Sequence, residues 1–302
     1  MALMLFFTTS LMAQVTTSSI NGKVVAGGET VIGATVTAVH VPSGTTYNAV
    51  TNTDGRYTIQ GMRVGGPYKV TISYIGFKDD NRTNIFLALG EPTVINADMK
   101  EDAKTLTEVT VTGRAGHGGN GAASNFSKQM IENAPTVDRN VYDVAKLSPL
   151  VNNNKFGGIS IAGTNNRYNS FQIDGMVSND VFGLTSSGTN GGQTGANPIS
   201  MDAIEQIQVA VSPFDVRQSG FTGGAINAIT KSGTNKFTGT AFTYYTDENL
   251  YGRYSQVYKK TQKLSDESTK TYGFTFGGPI IKDKLFFFTS LEYKKNSYPS
   301  TY

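Results

Sequence analysis

Three consecutive phenylalanines, Phe286, Phe287 and Phe288, sit in a run that otherwise alternates, KLFFFTSLEYKK, and this constrains the chain more than any other feature. Successive side chains of a strand point to opposite faces. Leu285, Phe287, Leu291 and Tyr293 therefore share one face, and Phe286, Phe288, Ser290 and Glu292 the other. The preceding run TKTYGFTFGG sends Tyr272, Phe274 and Phe276 one way and Thr271, Gly273, Thr275 and Gly277 the other. Apolar-out with small or polar-in is the dyad of a strand spanning an outer membrane, where about 10 residues suffice for a tilted crossing. A soluble sandwich would have to hide phenylalanine on both faces. Glu292 is expected to face a lumen. The Lys282-Asp283-Lys284 stretch has the form of a short polar turn, and residues 247–270 form a long charged connection.

Composition agrees with a turn-rich β protein. Of 302 residues, 16% are charged, fewer than in most soluble domains, and 34 are Gly. The net charge of +3 is spread along the chain, which leaves no basic face for nucleic acid. Cys is absent, so there is neither a disulfide framework nor a thiolate metal site. Only His40 and His117 occur, and neither stands at metal-ligand spacing. No nucleophile elbow or phosphate loop is found. The chain is expected to have no catalytic residues, metal or cofactor. A formal G-x-G-x-x-G over residues 116–121 lacks the parallel βαβ frame of a dinucleotide fold and reads as linker.

The opening MALMLFFTTSLMAQ has the length and apolarity of an export signal over residues 1–13, without the usual basic start. Residues 14–103 then break into short alternating runs: SINGKVVA, VIGATVTAVHV, TYNAVT, GRYTIQGM, PYKVTISYIG and VINADMK. Runs at this spacing predict a small β-sandwich. Ile32, Ala34, Val36 and Ala38 should form its inner face at one strand. Asn52-Thr53-Asp54-Gly55 predicts a turn with Gly55 at positive φ, after which Tyr57 and Ile59 return to the core.

Residues 104–123 pass from the β-branched run Leu106–Gly113 into glycine. An unpaired strand placed there suits β-augmentation by another protein, or else forms a last sandwich strand. Two helices are expected next, one around Phe126, Met130 and Ile131 with Ser127 as N-cap, the other carrying Val141, Val144, Ala145 and Leu147. Strands are expected at Ile159–Ala162, Ser170–Asp174, Ile207–Val211 and Ala225–Thr230, with a short helix over Met201–Gln206. Residues 182–197 lack periodicity and read as a loop.

Gly22-Lys23-Val24, Ile32–Val36 and the run Thr53–Ile59 (TDGRYTI) resemble the carboxypeptidase regulatory-like domain, a transthyretin-like sandwich. Phe171–Gly175 (FQIDG), AIEQIQV, SPFDVRQSGFTGGAINAITKSGTN and GGPIIKDKLFFF resemble TonB-dependent receptors of the Oar-like and SusC-like branches. That resemblance implies a mainly β chain: the sandwich, an α+β plug over residues 124–234, and the opening strands of a transmembrane barrel over residues 235–302. It implies a TonB-binding segment at Glu108, Val109, Thr110, Val111 and Thr112. Arg167, Asp174, Asp215 and Arg217 are candidates for a plug polar network, paired with the wall or facing ligand. The implied partners are TonB with its inner-membrane energising complex, outer-membrane lipid, and an extracellular glycan, peptide or siderophore, with a surface lipoprotein as a further partner. The implied location is the outer membrane of a Gram-negative bacterium, with the sandwich and plug on the periplasmic side. Three spanning strands cannot close, and family barrels have about 22 strands, so the sequence is expected to be a fragment of a longer protein. The competing reading is a secreted or surface-attached adhesin or carbohydrate-binding sandwich.

Overall fold

The computed structural model describes residues 16–101, 111–112, 122–136, 139–153, 158–180, 182, 185, 187–192, 196–211, 222–250, 254–255, 260–261 and 266–298. The expected export signal, Glu108, Val109, Thr110, the glycine run 116–121, Asp215 and Arg217 lie outside these residues.

The first unit is a two-sheet sandwich. Its strands are β1 (Ser18–Ala26), β2 (Glu29–Thr30), β3 (Thr35–His40), β4 (Thr45–Val50), β5 (Arg56–Met62), β6 (Gly65–Ser73), β7 (Asp80–Leu87), β8 (Pro92–Val94) and β9 (Ala97–Asp98). One sheet is centred on β1, which pairs antiparallel with β2 and β5 and parallel with β8 and β9. The other runs β7-β6-β3-β4, and β10 (Val111–Thr112) adds to β7 in parallel. Period-2 alternation sends Val36 and Ala38 of β3, Tyr57 and Ile59 of β5, and Val70 and Ile72 of β6 into one shared core. Gly55 takes φ +70°, as its turn requires.

Ile32 departs from the expected face and is 53% exposed. Gly33 at φ +83° turns the chain before β3 begins at Thr35, so the alternation does not extend back to Ile32. β7 is missing from the alternating runs identified in the sequence. Its first half is polar, and Asn84 at φ +58° with shifts in the β6–β7 register breaks its dyad.

The second unit is built on a mixed sheet of β11 (Ala122–Ser127), β14 (Ser170–Ile173), β15 (Met176–Val177), β16 (Ile204–Val211) and β17 (Gly224–Thr230), in the order β11-β16-β17-β14-β15. Helices α1 (Lys128–Glu132) and α2 (Val141–Ala145) and the hairpin of β12 (Val151–Asn153) with β13 (Ile159–Ile161) cover one face. That face carries Phe126, Phe171, Ile207, Val209, Ile226 and Ala228. Phe126 is therefore a strand residue, because β11 pairs with β16 through Ser127 and shortens the expected helix to one turn. Ser127 does stand at the N-cap, without a side-chain capping bond, while Asn140 caps α2 by accepting from Tyr142 N at 3.0 Å. Leu147 follows α2 and is 47% exposed rather than on its buried face. The expected helix over Met201–Gln206 is a single 3-10 turn, Met201–Ala203, and β16 starts at Ile204.

The third unit is an antiparallel sheet of long strands, β18 (Thr238–Asp247), β21 (Ser268–Ile281) and β22 (Leu285–Ser297). A short ladder, β19 (Tyr254–Ser255) with β20 (Lys260–Thr261), lies in the connection between the first two. Tyr272 pairs with Tyr293 and Phe274 with Leu291 on one face, all of them more than 40% exposed. Gly273 pairs with Phe242 and Glu292, and Thr275 with Thr240 and Ser290, on the other. The dyad read from the sequence is the dyad of the sheet, and Lys282, Asp283 and Lys284 form the turn between β21 and β22. Among the described residues no helix is long and apolar enough to cross a membrane, which says nothing of strands.

Candidate functional site

The plug and the wall meet at Arg139, which sits at φ +49° just before α2. Its Nη2 is 2.8 Å from the Asp202 carboxylate, which projects from the 3-10 turn leading into β16. Its Nη1 donates to the Tyr244 hydroxyl at 2.8 Å, and its guanidinium carbon lies 4.7 Å from the Phe242 ring centroid and 4.9 Å from that of Tyr244. Phe242 and Tyr244 belong to β18 and share the wall face that also carries Glu292. The face turned to the plug is thus the one the alternation assigned to a lumen. A planar guanidinium is suited to this place, since it can pair with a carboxylate at its edge while stacking on an aromatic face.

Nothing in the sequence pattern singled out Arg139. Its neighbours in the plug and the wall are 63 and 105 residues away. The one local signal is that it precedes the helix-capping Asn140, which fixes where its side chain starts.

Of the residues expected in a plug polar network, Asp174 is held within the plug. It takes φ +48° after β14, and its carboxylate accepts from Thr230 N at 2.8 Å and from Thr230 Oγ1 at 2.7 Å. It thereby closes the end of β17 next to its parallel partner β14. Arg167 is exposed in a 3-10 turn, where its backbone N–H donates to Asn165 Oδ1 at 3.1 Å. The described parts of the 182–197 loop are tied down: Thr189 is buried and bridges Asn179, Thr185 N donates to Asp180 at 2.7 Å, and Tyr142 donates to Ser187 O at 3.1 Å. Burial pushes the Tyr142 hydroxyl up to about 12.

The second face of the plug sheet is lined with amides. Gln172, Gln206, Gln208 and Asn227 are all buried there, with Asn125 beside them on β11. Glu205 lies close by, and burial raises its carboxyl above the ordinary range against the pull of Lys128 and Lys231. Of the expected TonB-binding segment, the backbone of Val111–Thr112 is described, and it lies parallel to Arg82–Thr83 at the edge of the sandwich. Among the described residues no group of His, Cys, Asp or Glu could hold a metal ion.

These features coincide with known families. Residues 19–100 match the carboxypeptidase regulatory-like domain, residues 118–226 the TonB-dependent receptor plug domain, and residues 229–302 an outer membrane beta barrel domain. The chain is 26% identical over 254 residues to the TonB-dependent transporter Oar of Myxococcus xanthus, an alignment covering 79% of this chain and 23% of that protein. Among solved structures, the siderophore receptor PirA of Acinetobacter baumannii aligns with a TM-score of 0.44 at 26% identity, over 58% of this chain and 24% of that one. The outer membrane transporter YddB of Escherichia coli aligns with a TM-score of 0.45 at 17% identity, over 58% and 26%. The chain spans about a quarter of the length of each relative. The chain thus carries, in order, a carboxypeptidase regulatory-like domain, a TonB-dependent receptor plug domain and an outer membrane beta barrel domain, and in this it is similar to the TonB-dependent transporters of the outer membrane.

Proposed function

We propose that the chain is the plug-bearing part of an energised import receptor. Ligand binds from outside at the plug and the barrel loops. TonB, driven by its inner-membrane complex, adds a strand to Glu108–Thr112 and pulls, and the plug rearranges to open a path. The observation that carries this reading is Arg139, which Asp202 holds from within the plug and which meets the inward face of β18 by one hydrogen bond and two ring contacts, while among the described residues no buried apolar cluster joins the plug to the wall. A plug held so can shift without unfolding the wall. β-Augmentation needs an extended segment whose backbone can pair with a partner strand, so Val111–Thr112 would have to leave the edge of β7 to take part, and Glu108–Thr112 joins two folded units where tension reaches both.

The ligand is a glycan, a peptide or a siderophore, and a surface lipoprotein is a candidate partner for capturing it. No observation favours an adhesin. The test uses the full-length protein in its own cells. Loss of the whole gene should abolish growth on one member of a panel of glycans, peptides and ferric siderophores. Deleting Glu108–Thr112 should reproduce that growth defect while leaving binding of the same compound to purified outer membranes unchanged. Growth equal to the parent strain would sink the assignment.

A further inference from the structure

The regulatory-like domain is seated on the amide face of the plug sheet. Gln208 Nε2 donates to Leu89 O at 2.7 Å, and Asn125 Nδ2 donates to Glu91 Oε1 at 2.9 Å. At the rim, Asn235 N donates to Pro42 O at 2.9 Å, while the Asn235 side chain exchanges hydrogen bonds with Asp283 in the β21–β22 turn. The one apolar cluster that bridges the two units among the described residues is Val64, Leu89 and Ile229, set apart from the large core on either side.

This seam is poorly filled. Cavities of about 210 and 500 Å³ lie along it, and both are lined by Lys128 and Glu205. Gln206 Oε1 and Asn125 Oδ1 are buried without a hydrogen-bond partner. Separation would return those oxygens to water, so part of what closure forms is offset by what closure leaves unpaired. Small, polar, imperfectly packed contacts between domains are the ones that open and close.

Topology says what would open it. The chain leaves the sandwich at Glu101, which bridges Phe77, runs past β7 as Val111–Thr112, and enters the plug at Ala122 as edge strand β11. Asn125, one of the two side-chain donors across the seam, lies three residues into that edge strand. Tension applied between Glu101 and Ala122 therefore loads the two bodies that the seam joins.

We infer that the amide face of the plug sheet is a releasable dock for the regulatory-like domain, which covers that face at rest and is drawn off it when the connecting segment is pulled. The inference rests on the coupling role proposed above for Glu108–Thr112.

The chain has no cysteine, so the pair Glu91→Cys/Asn125→Cys introduces a unique reporter into a full-length background freed of other thiols. Neither position is fully buried, and thermal unfolding of the reduced variant against the parent checks that it folds. Cells are oxidised with copper-phenanthroline, and the 91–125 disulfide is quantified by mass spectrometry. With the proton gradient collapsed by an uncoupler, most molecules should cross-link. In energised cells the yield should fall at least threefold, and deletion of 108–112 should restore the resting value. A low yield in every state means the dock does not exist, and a high yield in every state means it does not release; either overturns the inference. A fall on energisation that survives the 108–112 deletion keeps the dock and sinks the coupling role instead.

Discussion

The guanidinium carbon of Arg139 lies 4.7 Å from the centre of the Phe242 ring, so a plug cation rests on an aromatic of the wall while Asp202 holds it from behind at 2.8 Å. A cation–π contact of this kind contributes about 0.5–2 kcal/mol, and a partly buried ion pair adds to it. Arg139→Ala should loosen the plug from the wall and cost about 1–3 kcal/mol. Arg139→Lys should recover little, because an ammonium cannot pair with Asp202 and lie flat on two rings together. Thermal unfolding of the full-length protein in detergent, followed through the plug, measures both. A lysine variant as stable as the parent would refute the stacking account.

Asp174 predicts a different pattern. Its carboxylate accepts two hydrogen bonds from Thr230 while its backbone sits at φ +48°. Asp174→Asn should keep most of the stability, since Asn tolerates that conformation and retains one acceptor oxygen. Asp174→Ala should lose about 1–2 kcal/mol and release the end of β17. Amide exchange at Thr230 reads this directly: fast in the alanine variant, near parent in the asparagine variant.

Gly22 tests the sandwich core. A Cβ there would run into the Ile95 carbonyl, which also accepts from the Tyr57 hydroxyl at 2.8 Å. Backbone cannot move aside as a side chain can, so Gly22→Ala should destabilise residues 16–101 by about 1–3 kcal/mol or more. This unit has its own closed core and can be studied alone. Urea denaturation should show a lower midpoint with an unchanged slope.

His40 should make the same unit pH-sensitive. It is 5% exposed, its Nδ1 lies 2.7 Å from Ser43 Oγ, and its ring is 4.9 Å from that of Tyr68. Burial, helped by Arg63, lowers its pKa to about 4. The unfolded chain therefore takes up a proton near pH 6.5 that the folded chain refuses until about pH 4. Between those values the unfolded state binds more protons, so stability falls as pH falls. Melting of residues 16–101 should drop by several degrees from pH 7 to pH 5 (about 4–8 °C per kcal/mol), and His40→Gln should flatten the dependence.

Much of the fold follows from short-range pattern. The alternation of Tyr272, Phe274 and Phe276 survives in β21, and Gly55 sits at positive φ where its turn needs it. Where the pattern misled, a local rule met a pairing partner. Phe126, Met130 and Ile131 have helical spacing, yet β16 claims the chain as far as Ser127 and leaves one helical turn. Ile32 continues an alternation on paper, but Gly33 turns the backbone before the strand begins. The site residues were less legible. Asp174 carries a charge legible in the sequence and pairs it with Thr230, whereas Arg139, which no motif marks, makes the clasp.

By itself the sequence determined that most of the chain extends, which faces of the long strands are apolar, and the order of sandwich, plug and wall, because strand periodicity and turn chemistry act over a few residues. The tertiary structure alone decided that Arg139 meets Phe242 and that Gln208 reaches Leu89, partners separated by about a hundred residues. It also decided which face of the plug sheet the amides occupy and what covers it. Those choices depend on which sheets come to lie against each other, and a buried amide or cation finds its partner only once the two surfaces have met and shed their water.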